Sequence, residues 1–436
     1  MPKKAEFMVY IDRDKSLKLH LRKDPSGLGV LIINASRVVY LNRTATFYVE
    51  CMLKNLPPEK VVKLAIKKFK GVTREKILKD YKEVEYKINS FIKGEACPIT
   101  YLGFKRVDPF TVRTSAPFRA DLAITYACNN RCVHCYSSSP EHEKTELPSK
   151  FWFKILEKLY KIGVPNVLFT GGEPTIRDDL PDMIMKAEEL GLVTGLVTNG
   201  RRLSDRSFLD RLVKAGLDYV QVTLESNRPD VHDRITGVKG SWGETVKGIK
   251  NILDAGVYLD VNTTLNKHNV DHVEEYVDFL HKLGVENVSA NKLIYSGRGL
   301  EVKDWFEPSI EELREALETF LEKTAEYGMS FQWYGVTRYC EYNPVEEGLG
   351  LRFCSACSIT VAIEPNGTVI PCQSYYEPLG NILKDKWEKI WNNPLCIEIR
   401  ERKYAWKECL DCPLFTACGA GCPLEAKVKP LKPAVA

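Results

Sequence analysis

The sequence predicts an α/β protein built around a partial (β/α)6 TIM-like barrel, with a small winged-helix-like α+β module before it and a cysteine-rich domain after it. Three observations support this prediction. Apolar strand-like runs alternate with amphipathic helical patterns between residues 118 and 291, which is typical of βα units and a parallel sheet. Before residue 95, short alternating segments are followed by three helical patterns. From Cys340 onward, cysteines recur among Gly, Pro and Asn turns.

Six βα-type units form the predicted barrel. Its strands are expected at residues 122–127, 166–170, 193–198, 219–224, 259–264 and 287–291. Its helices are expected near residues 150–162, 180–190, 205–215, 243–255 and 273–283. In barrels of this type the chemistry lies at the carboxyl ends of the strands, so residues that directly follow a strand are candidates for a site.

The segment before the barrel shows strand-like alternation at residues 17–21 and 30–34, and then helical patterns at 44–53, from Pro57 onward, and at 74–92. Strands followed by three helices predict a winged-helix-like module. A DNA-binding domain is the alternative, but the candidate recognition helices are not notably rich in arginine. The predicted organisation is a module over 1–95, a linker over 96–117, the barrel over 118–300, a connecting helix over 301–339 and the cysteine-rich domain over 340–436.

Composition limits the partners and the compartment. The 436 residues carry 62 basic and 58 acidic side chains, a net charge of +4, which favours neither nucleic acid nor a membrane as partner. The N-terminus has no apolar core of signal-peptide length, and no run of about 18 apolar residues occurs to span a membrane. Fourteen cysteines without an export signal predict a cytoplasmic protein whose clustered thiols bind metal or act in redox chemistry.

One group of cysteines directly follows the first predicted barrel strand. Cys128, Cys132 and Cys135 lie within eight residues, at the expected active edge. Three thiolates can hold a four-iron cluster and leave one iron open to a small molecule, as open positions do in other catalytic metal centres. The same spacing suits a zinc site with His134 as a further ligand, a disulfide fragment or a chance cluster, and the spacing leaves these alternatives open.

The motif and its position resemble the radical S-adenosylmethionine (SAM) enzymes. Gly171, Gly172, Glu173 and Pro174 follow the second strand, where that superfamily has its glycine-rich motif. The resemblance implies that Gly172 and Glu173 meet the amino group of SAM. It also implies SAM contacts from the cysteine loop and from the ends of the next strands, at His134, Thr198, Asn199, Thr223, Glu225 and Ser226. Ordinary turn and helix-capping chemistry is the alternative for the polar strand-end residues.

The resemblance implies a [4Fe-4S] cluster on Cys128, Cys132 and Cys135 that takes SAM at its open iron. Reductive cleavage of SAM would then give a 5′-deoxyadenosyl radical that abstracts hydrogen from unactivated carbon, so the protein must exclude water and orient its substrate. A ferredoxin- or flavodoxin-type protein of low potential is the expected electron donor. Tyr295 and Arg298, with Glu225, are candidate substrate-side polar residues, and a structural role is the alternative for each.

The C-terminal cysteines resemble the SPASM domain, an extension that binds auxiliary [4Fe-4S] clusters. The resemblance rests on the spacing of Cys357, Gly367 and Cys372, and on the later run of Cys409, Cys412, Cys418 and Cys422. It implies that the first auxiliary cluster is held by Cys354, Cys357, Cys372 and Cys422. It implies Cys409, Cys412 and Cys418 as ligands of the second, with zinc as the main rival metal.

Three positions depart from the family pattern. No cysteine follows Cys422, so the second auxiliary cluster has an open iron, a non-cysteine ligand, or Cys396 or Cys340 as its fourth ligand, or it is absent. Thr236 stands where many relatives carry arginine, which weakens any assignment of the contact to the SAM carboxylate. Gln373 stands where sulfatase-maturing enzymes carry an aspartate proposed as the base. An amide takes up no proton usefully, which argues against sulfatase maturation.

The module over residues 1–95 resembles the PqqD-like recognition element (RRE) of enzymes that modify ribosomally made peptides, in which an exposed strand edge pairs with a leader peptide. We therefore expect a radical SAM maturase that binds a peptide or protein through a leader segment and forms a thioether or carbon–carbon crosslink, or epimerises a residue. A maturase or cofactor-assembly enzyme for a tungsten or haem metalloenzyme is the alternative enzyme. A redox-sensing regulator with metal sites is the non-enzyme alternative, but a sensor needs no SAM pocket.

Overall fold

The computed structural model describes residues 6–12, 17–24, 27–34, 37–93, 113–142 and 145–429. Most of the linker predicted over 96–117 lies outside the described residues, so that part of the prediction stays a prediction. Across these ranges no helix combines the length and the apolar content that crossing a membrane requires.

The N-terminal module is an antiparallel four-stranded sheet followed by three helices. The strands lie side by side in the order β1 (Glu6–Asp12), β2 (Leu17–Lys23), β3 (Gly29–Ile33) and β4 (Arg37–Leu41), and the helices are α1 (Arg43–Leu53), α2 (Pro58–Lys68) and α3 (Arg74–Lys93). The order of strands before helices is as predicted, and β1 and β4 are additional strands. The pattern of β1 gave no strand signal because most of its residues are equally half-buried.

The predicted barrel is present as six parallel strands that follow one another across one sheet. These strands are β5 (Arg119–Thr125), β6 (Asn166–Gly171), β7 (Val193–Thr198), β8 (Tyr219–Thr223), β9 (Tyr258–Thr264) and β10 (Asn287–Asn291). The helices between them are α4 (Ser149–Ile162), α5 (Leu180–Glu189), α6 (Arg206–Lys214), α7 (Pro229–Thr236), α8 (Ser241–Asp254) and α9 (Val273–Leu283). All five predicted helices are present, and the short helix α7 is an addition between β8 and α8.

The sheet continues beyond the six strands on both sides. After α10 (Gly297–Phe306) and the predicted connecting helix α11 (Ile310–Glu326), strand β11 (Ser330–Trp333) pairs parallel with β10. At the opposite side, β12 (Thr360–Ile363) pairs parallel with β5, and β13 (Thr368–Ile370) and β14 (Gly380–Asn381) follow it antiparallel. Five short helices end the described chain: α12 (Trp387–Trp391), α13 (Pro394–Arg400), α14 (Lys407–Leu410), α15 (Phe415–Cys418) and α16 (Pro423–Ala426).

The cysteine-rich domain shares an apolar core with the barrel. Val361, Ile363, Val369, Ile390 and Trp391 are buried in the same cluster as the barrel strands. Because β12 pairs with β5, the apolar face of this domain is continuous with that of the barrel. Apolar packing therefore contributes to its folding, in addition to any metal that it holds.

The module docks on the barrel through the second strand, whose two faces differ. Leu19 and Leu21 belong to the apolar core of the module, whereas the alternate residues Lys18, His20 and Arg22 are buried against the barrel. Lys18 pairs with Glu188 (2.6 Å) and Asp218 (2.8 Å), His20 bonds to the carbonyl of Gly191 (2.8 Å), and Arg22 donates to the carbonyls of Pro117 (3.1 Å) and Gly163 (3.2 Å). These contacts lie mainly where helices lead into strands. The module therefore sits at the amino ends of the barrel strands, away from the expected active edge.

Candidate active site

The three cysteines of the first motif lie on the loop that follows β5. The backbone N–H of Asn130 donates to Cys128 Sγ (3.3 Å), and the hydroxyl of Ser137 lies 3.3 Å from Cys135 Sγ. Burial, together with the negative charges of Glu173 and Cys135, raises the pKa of Cys128 to about 12. Burial and the charges of Cys135, Glu225 and Cys128 raise the pKa of Cys132 as well. Neighbouring positive charge, such as that of iron, is therefore needed to keep these thiols ionised.

Two helices hold the cysteine loop in place. The backbone N–H groups of Arg131 and Val133 donate to carbonyls at the end of α7 (2.9 Å each). From α10, Arg298 donates to the carbonyls of Cys132 (2.9 Å) and Ser139 (2.5 Å). A Cβ on Gly297 would lie 2.7 Å from the carbonyl oxygen of Cys135, so only glycine allows this approach. Arg298 therefore positions the loop, which agrees with the structural role that the sequence analysis gave as its alternative. The sequence patterns had predicted neither α7 nor α10.

The glycine-rich motif after β6 packs against the start of the cysteine loop. The N–H of Gly172 donates to the carbonyl of Thr125 (2.8 Å), and the N–H of Glu173 donates to that of Ala127 (2.9 Å). Gly171 has a φ of 138°, and a Cβ there would lie 2.0 Å from the Thr125 oxygen. The glycines are required because two backbone segments touch, and Pro174 then begins a short 3₁₀ turn.

Glu173 is buried and accepts hydrogen bonds from three residues. Its Oε1 takes the N–H (3.0 Å) and the hydroxyl (2.5 Å) of Thr175 and the hydroxyl of Thr198 (2.7 Å). Its Oε2 takes the N–H of Asn199 (2.7 Å). Burial raises the pKa of this carboxyl, and the hydrogen bonds oppose the rise. Because each carboxylate oxygen offers two lone pairs, Oε2 keeps room for one further donor, which the amino group of SAM could supply.

The end of β7 is tied to the cysteine loop by side-chain amides. Asn199 Nδ2 donates to Asn129 Oδ1 (2.6 Å), and Arg201 Nη1 donates to Asn130 Oδ1 (2.9 Å). Asn199 also accepts from the N–H of Arg201 at 3.0 Å. The cysteine loop, the glycine-rich motif and the end of β7 therefore form one hydrogen-bonded edge.

At the end of β8, Glu225 faces the cysteine loop. His134 Nε2 lies 3.2 Å from Glu225 Oε1, and the N–H of Thr264 donates to Glu225 Oε2 (3.1 Å). Burial opposes ionisation of Glu225, but His134, the N–H of Thr264 and His232 together outweigh it, and the pKa of Glu225 is lowered. Beside it, Ser226 Oγ accepts the N–H of Arg228 (3.0 Å), as a turn-capping residue does. Thr223 is the last residue of β8.

Several buried polar atoms at this edge have no hydrogen-bond partner in the described chain. They include Nδ1 of His134, Oδ1 of Asn227 and Nε2 of His232. A buried polar atom without a partner is costly, so a ligand with donors and acceptors fits here. SAM has an amino group, a carboxylate and ribose hydroxyls, and the residues present suit it.

The cysteines of the first predicted auxiliary site divide into two neighbouring sets. Burial raises the pKa of Cys372 and Cys422, and the charge of Cys354 raises both further, so these three sulfurs lie close together. Cys357 contacts Cys396, a pairing that the resemblance did not predict, and burial raises its pKa. The charge of Cys372 also acts on Cys357. The predicted four cysteines therefore share one region, with Cys396 as a fifth.

The second predicted auxiliary group lies on the last turns of the chain. Burial raises the pKa of Cys409, and the charges of Cys418 and Cys412 add to the rise. The exposed Cys340 also lies beside Cys418. Burial raises the pKa of Cys340 most, and the charges of Glu341 and Cys418 raise it as well. Among the described residues, no three His, Cys, Asp or Glu side chains meet around a single metal ion. A four-iron cluster binds each thiolate through a different iron, so it does not need such convergence.

A cluster of aromatic rings lies between the two cysteine regions, and sequence reasoning did not single it out. Tyr126 stacks on His142 at 4.0 Å, and Tyr376 meets His142 edge-on at 4.9 Å. Tyr136 donates from its hydroxyl to Gln373 Oε1 (3.2 Å). Tyr126 and Tyr136 flank the first cysteine motif in the sequence, and this position is the signal by which they could have been identified. Gln373, which stands where sulfatase-maturing enzymes carry the proposed base, thus accepts a hydrogen bond from Tyr136.

Family models match two parts of the chain. The model of the radical SAM superfamily matches residues 122–280, and the model of the SPASM iron-sulfur cluster-binding domain matches residues 354–413. The first covers the cysteine loop and most of the barrel, and the second covers most of the C-terminal cysteines.

Among the proteins similar to the chain are two curated relatives and one solved structure. The Fe-coproporphyrin III synthase of Methanosarcina barkeri is 33% identical over 222 residues, which are 50% of this chain and 55% of that protein, so the chain matches little more than half of it. The PqqA peptide cyclase of Gluconobacter oxydans is 28% identical over 321 residues, 72% of this chain and 87% of that one. Streptococcus suis SuiB bound to S-adenosylmethionine has the same fold, with a TM-score of 0.69 at 20% identity, over 95% of this chain and 96% of that chain.

Proposed function

Since the chain contains a radical SAM domain and a SPASM domain and is an enzyme, we propose that it cleaves SAM reductively and modifies a ribosomally made peptide or protein. The modification is a thioether or carbon–carbon crosslink, or an epimerisation. The observation that carries the SAM chemistry is the cysteine loop, which is hydrogen-bonded through Asn129 to the edge that holds Glu173 and Asn199. A [4Fe-4S] cluster on Cys128, Cys132 and Cys135 would supply the electron that cleaves SAM to a 5′-deoxyadenosyl radical.

The residues of the chain bind and orient SAM at this edge. Glu173 Oε2 keeps one lone pair for an ammonium donor, and His134 and His232 each offer a ring nitrogen without a partner. Burial lowers the pKa of His232 to about 4, so this imidazole is neutral at pH 7. Its Nδ1 accepts a hydrogen bond from the backbone N–H of Glu225, so the proton lies on Nε2, which can donate one hydrogen bond.

The peptide half of the proposal is supported by the relatives and by the N-terminal module. The peptide cyclase relative matches along 72% of the chain, and SuiB, which shares the fold, has also been solved with its precursor peptide SuiA. In the module, a cavity of about 520 Å³ opens between the β1–β2 hairpin and helices α1 and α3. Its lining is apolar with charged residues at the rim, and includes Tyr10, Leu17, Met52, Leu53, Lys82, Glu85, Asn89 and Ile92. Such a cavity suits a leader segment with apolar anchors.

The placement of the module sets a requirement on the peptide. Because the module sits at the amino ends of the barrel strands, a leader bound there needs a spacer to bring the modified residue to the opposite edge.

We include a ferredoxin- or flavodoxin-type electron donor and a cytoplasmic location in this proposal.

A second candidate function is supported by one comparison. The synthase relative is the more identical of the two, at 33%, and it is named for the synthesis of Fe-coproporphyrin III. The match spans half of this chain, however, whereas the peptide cyclase match extends over 72%. A porphyrin-modifying or cofactor-assembling activity is therefore the second candidate.

Anaerobic reconstitution tests the SAM chemistry. We expect release of 5′-deoxyadenosine when the reconstituted protein is reduced with SAM, and its loss in Cys135→Ala. Full cleavage by Cys135→Ala, or stoichiometric zinc with no cleavage, would refute the assignment. Cys51→Ala is the matched control, since Cys51 is buried in the N-terminal module.

Leader binding separates the two candidate functions. Asn89→Trp places a large ring at the exposed rim of the cavity, and Lys76→Trp places it on the same helix outside the cavity lining. The probe is a candidate precursor peptide sought in the neighbourhood of the gene. We expect it to bind the parent and Lys76→Trp, and to bind Asn89→Trp at least about tenfold more weakly. Equal binding by all three proteins would contradict the role of the module, and turnover of a porphyrin without any peptide would favour the second candidate.

A further inference from the structure

We propose that Cys340 is the fourth cysteine ligand of the second auxiliary cluster, completing the set that begins with Cys409, Cys412 and Cys418. This inference rests on the SPASM part of the proposed function, and it does not depend on which substrate is modified. It concerns the ligand for which the family pattern has a further cysteine after Cys422, where this sequence has none.

The backbone next to Cys340 touches the sulfur of Cys418. The N–H of Tyr339 donates to Cys418 Sγ at 3.4 Å, and Cys340 is the next residue. A tight turn follows, in which the N–H groups of Glu341 and Tyr342 both donate to the carbonyl of Arg338 (2.9 and 3.0 Å). The turn therefore holds Cys340 at the surface beside Cys418.

The environment of Cys418 suits a metal-bound thiolate. Gly419, Ala420 and Gly421 all have positive φ, between 61° and 75°, which curls the chain back over the sulfur. The N–H groups of Ala420 and Gly421 bond to this sulfur together with that of Tyr339. Backbone donors of this kind stabilise negative charge on a cluster ligand.

Arg338 fixes the Cys340 turn against the C-terminal cysteine run. It is 2% exposed, its guanidinium lies 5.3 Å from the ring of Trp406, and it donates to the carbonyl of Lys429 (3.2 Å). A Cβ on Gly421 would lie 2.8 Å from the Arg338 side chain, so the absence of a side chain there admits the arginine. The arginine also pairs with Glu341 at 2.8 Å. The packing of Arg338 therefore holds the Cys340 turn against the C-terminal cysteine run.

The rival ligand, Cys396, is held elsewhere. It is fully buried on α13, and Arg400 donates to its sulfur at 3.3 Å. The same arginine donates to the carbonyl of Cys357 at 2.8 Å. Cys396 therefore belongs to the Cys357 region.

Exposure gives an independent reason for a ligand role. Cys340 is an exposed thiol, so its sulfur can be reached from outside the core, as a ligand of a cluster on these last turns requires. With Cys340 the second group contains four thiolates, which matches the four cysteine ligands of a fully ligated [4Fe-4S] cluster.

The test uses the full chain with Cys128, Cys132 and Cys135 all replaced by Ala, so that only auxiliary metal remains. In this background Cys412→Ala defines the loss of the second cluster, and Cys340→Ala and Cys396→Ala are compared with it after anaerobic reconstitution. Iron and sulfide content and the EPR spectrum of the reduced protein are the readouts, and neither requires substrate. Cys51→Ala is the control for the loss of an unrelated buried cysteine.

We expect Cys340→Ala to lose about half of the remaining iron, or to convert the second cluster to a three-iron form with an EPR signal in the oxidised state. Cys396→Ala should keep the signal that Cys412→Ala removes. The proposal is wrong if Cys340→Ala keeps the iron content and spectrum of the background, or if Cys396→Ala alone reproduces Cys412→Ala. Because Cys340 is exposed, its replacement leaves the core intact, and circular dichroism checks the fold.

Discussion

The hydroxyl of Tyr136 donates a hydrogen bond of 3.2 Å to the side-chain oxygen of Gln373, joining the residue after Cys135 to the residue after Cys372. The two residues are 237 positions apart, and the bond connects the first cysteine loop to the auxiliary region. The backbone oxygen of Gln373 also accepts from Tyr376 at 2.9 Å. Gln373 thus has a structural role at the interface of the two cysteine regions.

We expect Tyr136→Phe and Gln373→Met each to destabilise the protein, and the double variant to cost less than the sum of the two. A single neutral hydrogen bond contributes about 0.5–1.5 kcal/mol, so the coupling free energy should fall in that range. Anaerobic thermal unfolding of the four proteins measures it. Fully additive effects would show that this bond contributes nothing to stability.

Replacement of Glu173 by glutamine should weaken SAM binding. The amide keeps the shape, but it removes a charge-assisted acceptor, a change worth about 1.5–3 kcal/mol or roughly 10- to 100-fold in affinity. Equilibrium dialysis with the reconstituted protein gives the affinity. Glu244→Gln is the control, since Glu244 is an exposed carboxylate that pairs with Arg201 near the same edge. Unchanged affinity in Glu173→Gln would contradict the assigned contact.

Arg298→Met should release iron from the first cluster faster than the parent protein does. The change removes the donors to the carbonyls of Cys132 and Ser139, so the cysteine loop is held by fewer bonds. The rate of iron transfer to a chelator, read in the absence of SAM, measures this. Arg314→Met, at a half-exposed arginine on α11, should release iron at the parent rate. Equal rates in both variants would refute the positioning role.

Stability should fall in mild acid because His20 is buried without charge. Burial lowers the pKa of His20 from 6.5 to about 4, so the unfolded chain binds this proton more readily than the folded one. The contribution is complete above pH 6.5 and declines as the pH falls toward 4, by about 3 kcal/mol in total. His232 has the same shift and adds a similar loss.

The His20→Gln variant isolates the first contribution. Glutamine can still donate to the Gly191 carbonyl but takes up no proton, so the variant should lose less stability than the parent between pH 6.5 and 4. Hydrogen exchange at β2 and at α5 reports the interface directly. The exposed His281→Gln should behave like the parent, and identical pH profiles for all three proteins would exclude His20 as the source.

The sequence by itself determined the features that depend on neighbours a few residues apart. Periodicity located the six barrel strands. The three cysteines after the first strand, together with Gly171 to Pro174 after the second, carried the resemblance to radical SAM enzymes. The alternation of leucines in β2 likewise showed a strand with an apolar face. Such patterns are local because strand and helix periods repeat within two or four residues.

The tertiary structure decided what each face and each spare cysteine contacts. It placed Lys18, His20 and Arg22 against the barrel, joined Tyr136 to Gln373, and separated Cys340 from Cys396 by the groups around them. These relationships join residues far apart in the chain. The pairing of β12 with β5 brings the auxiliary region beside the barrel, and the packing of Arg338 beside Gly421 holds the Cys340 turn against the last cysteines. No local pattern encodes such contacts, since burial and chain crossing select the partner only when the whole core forms.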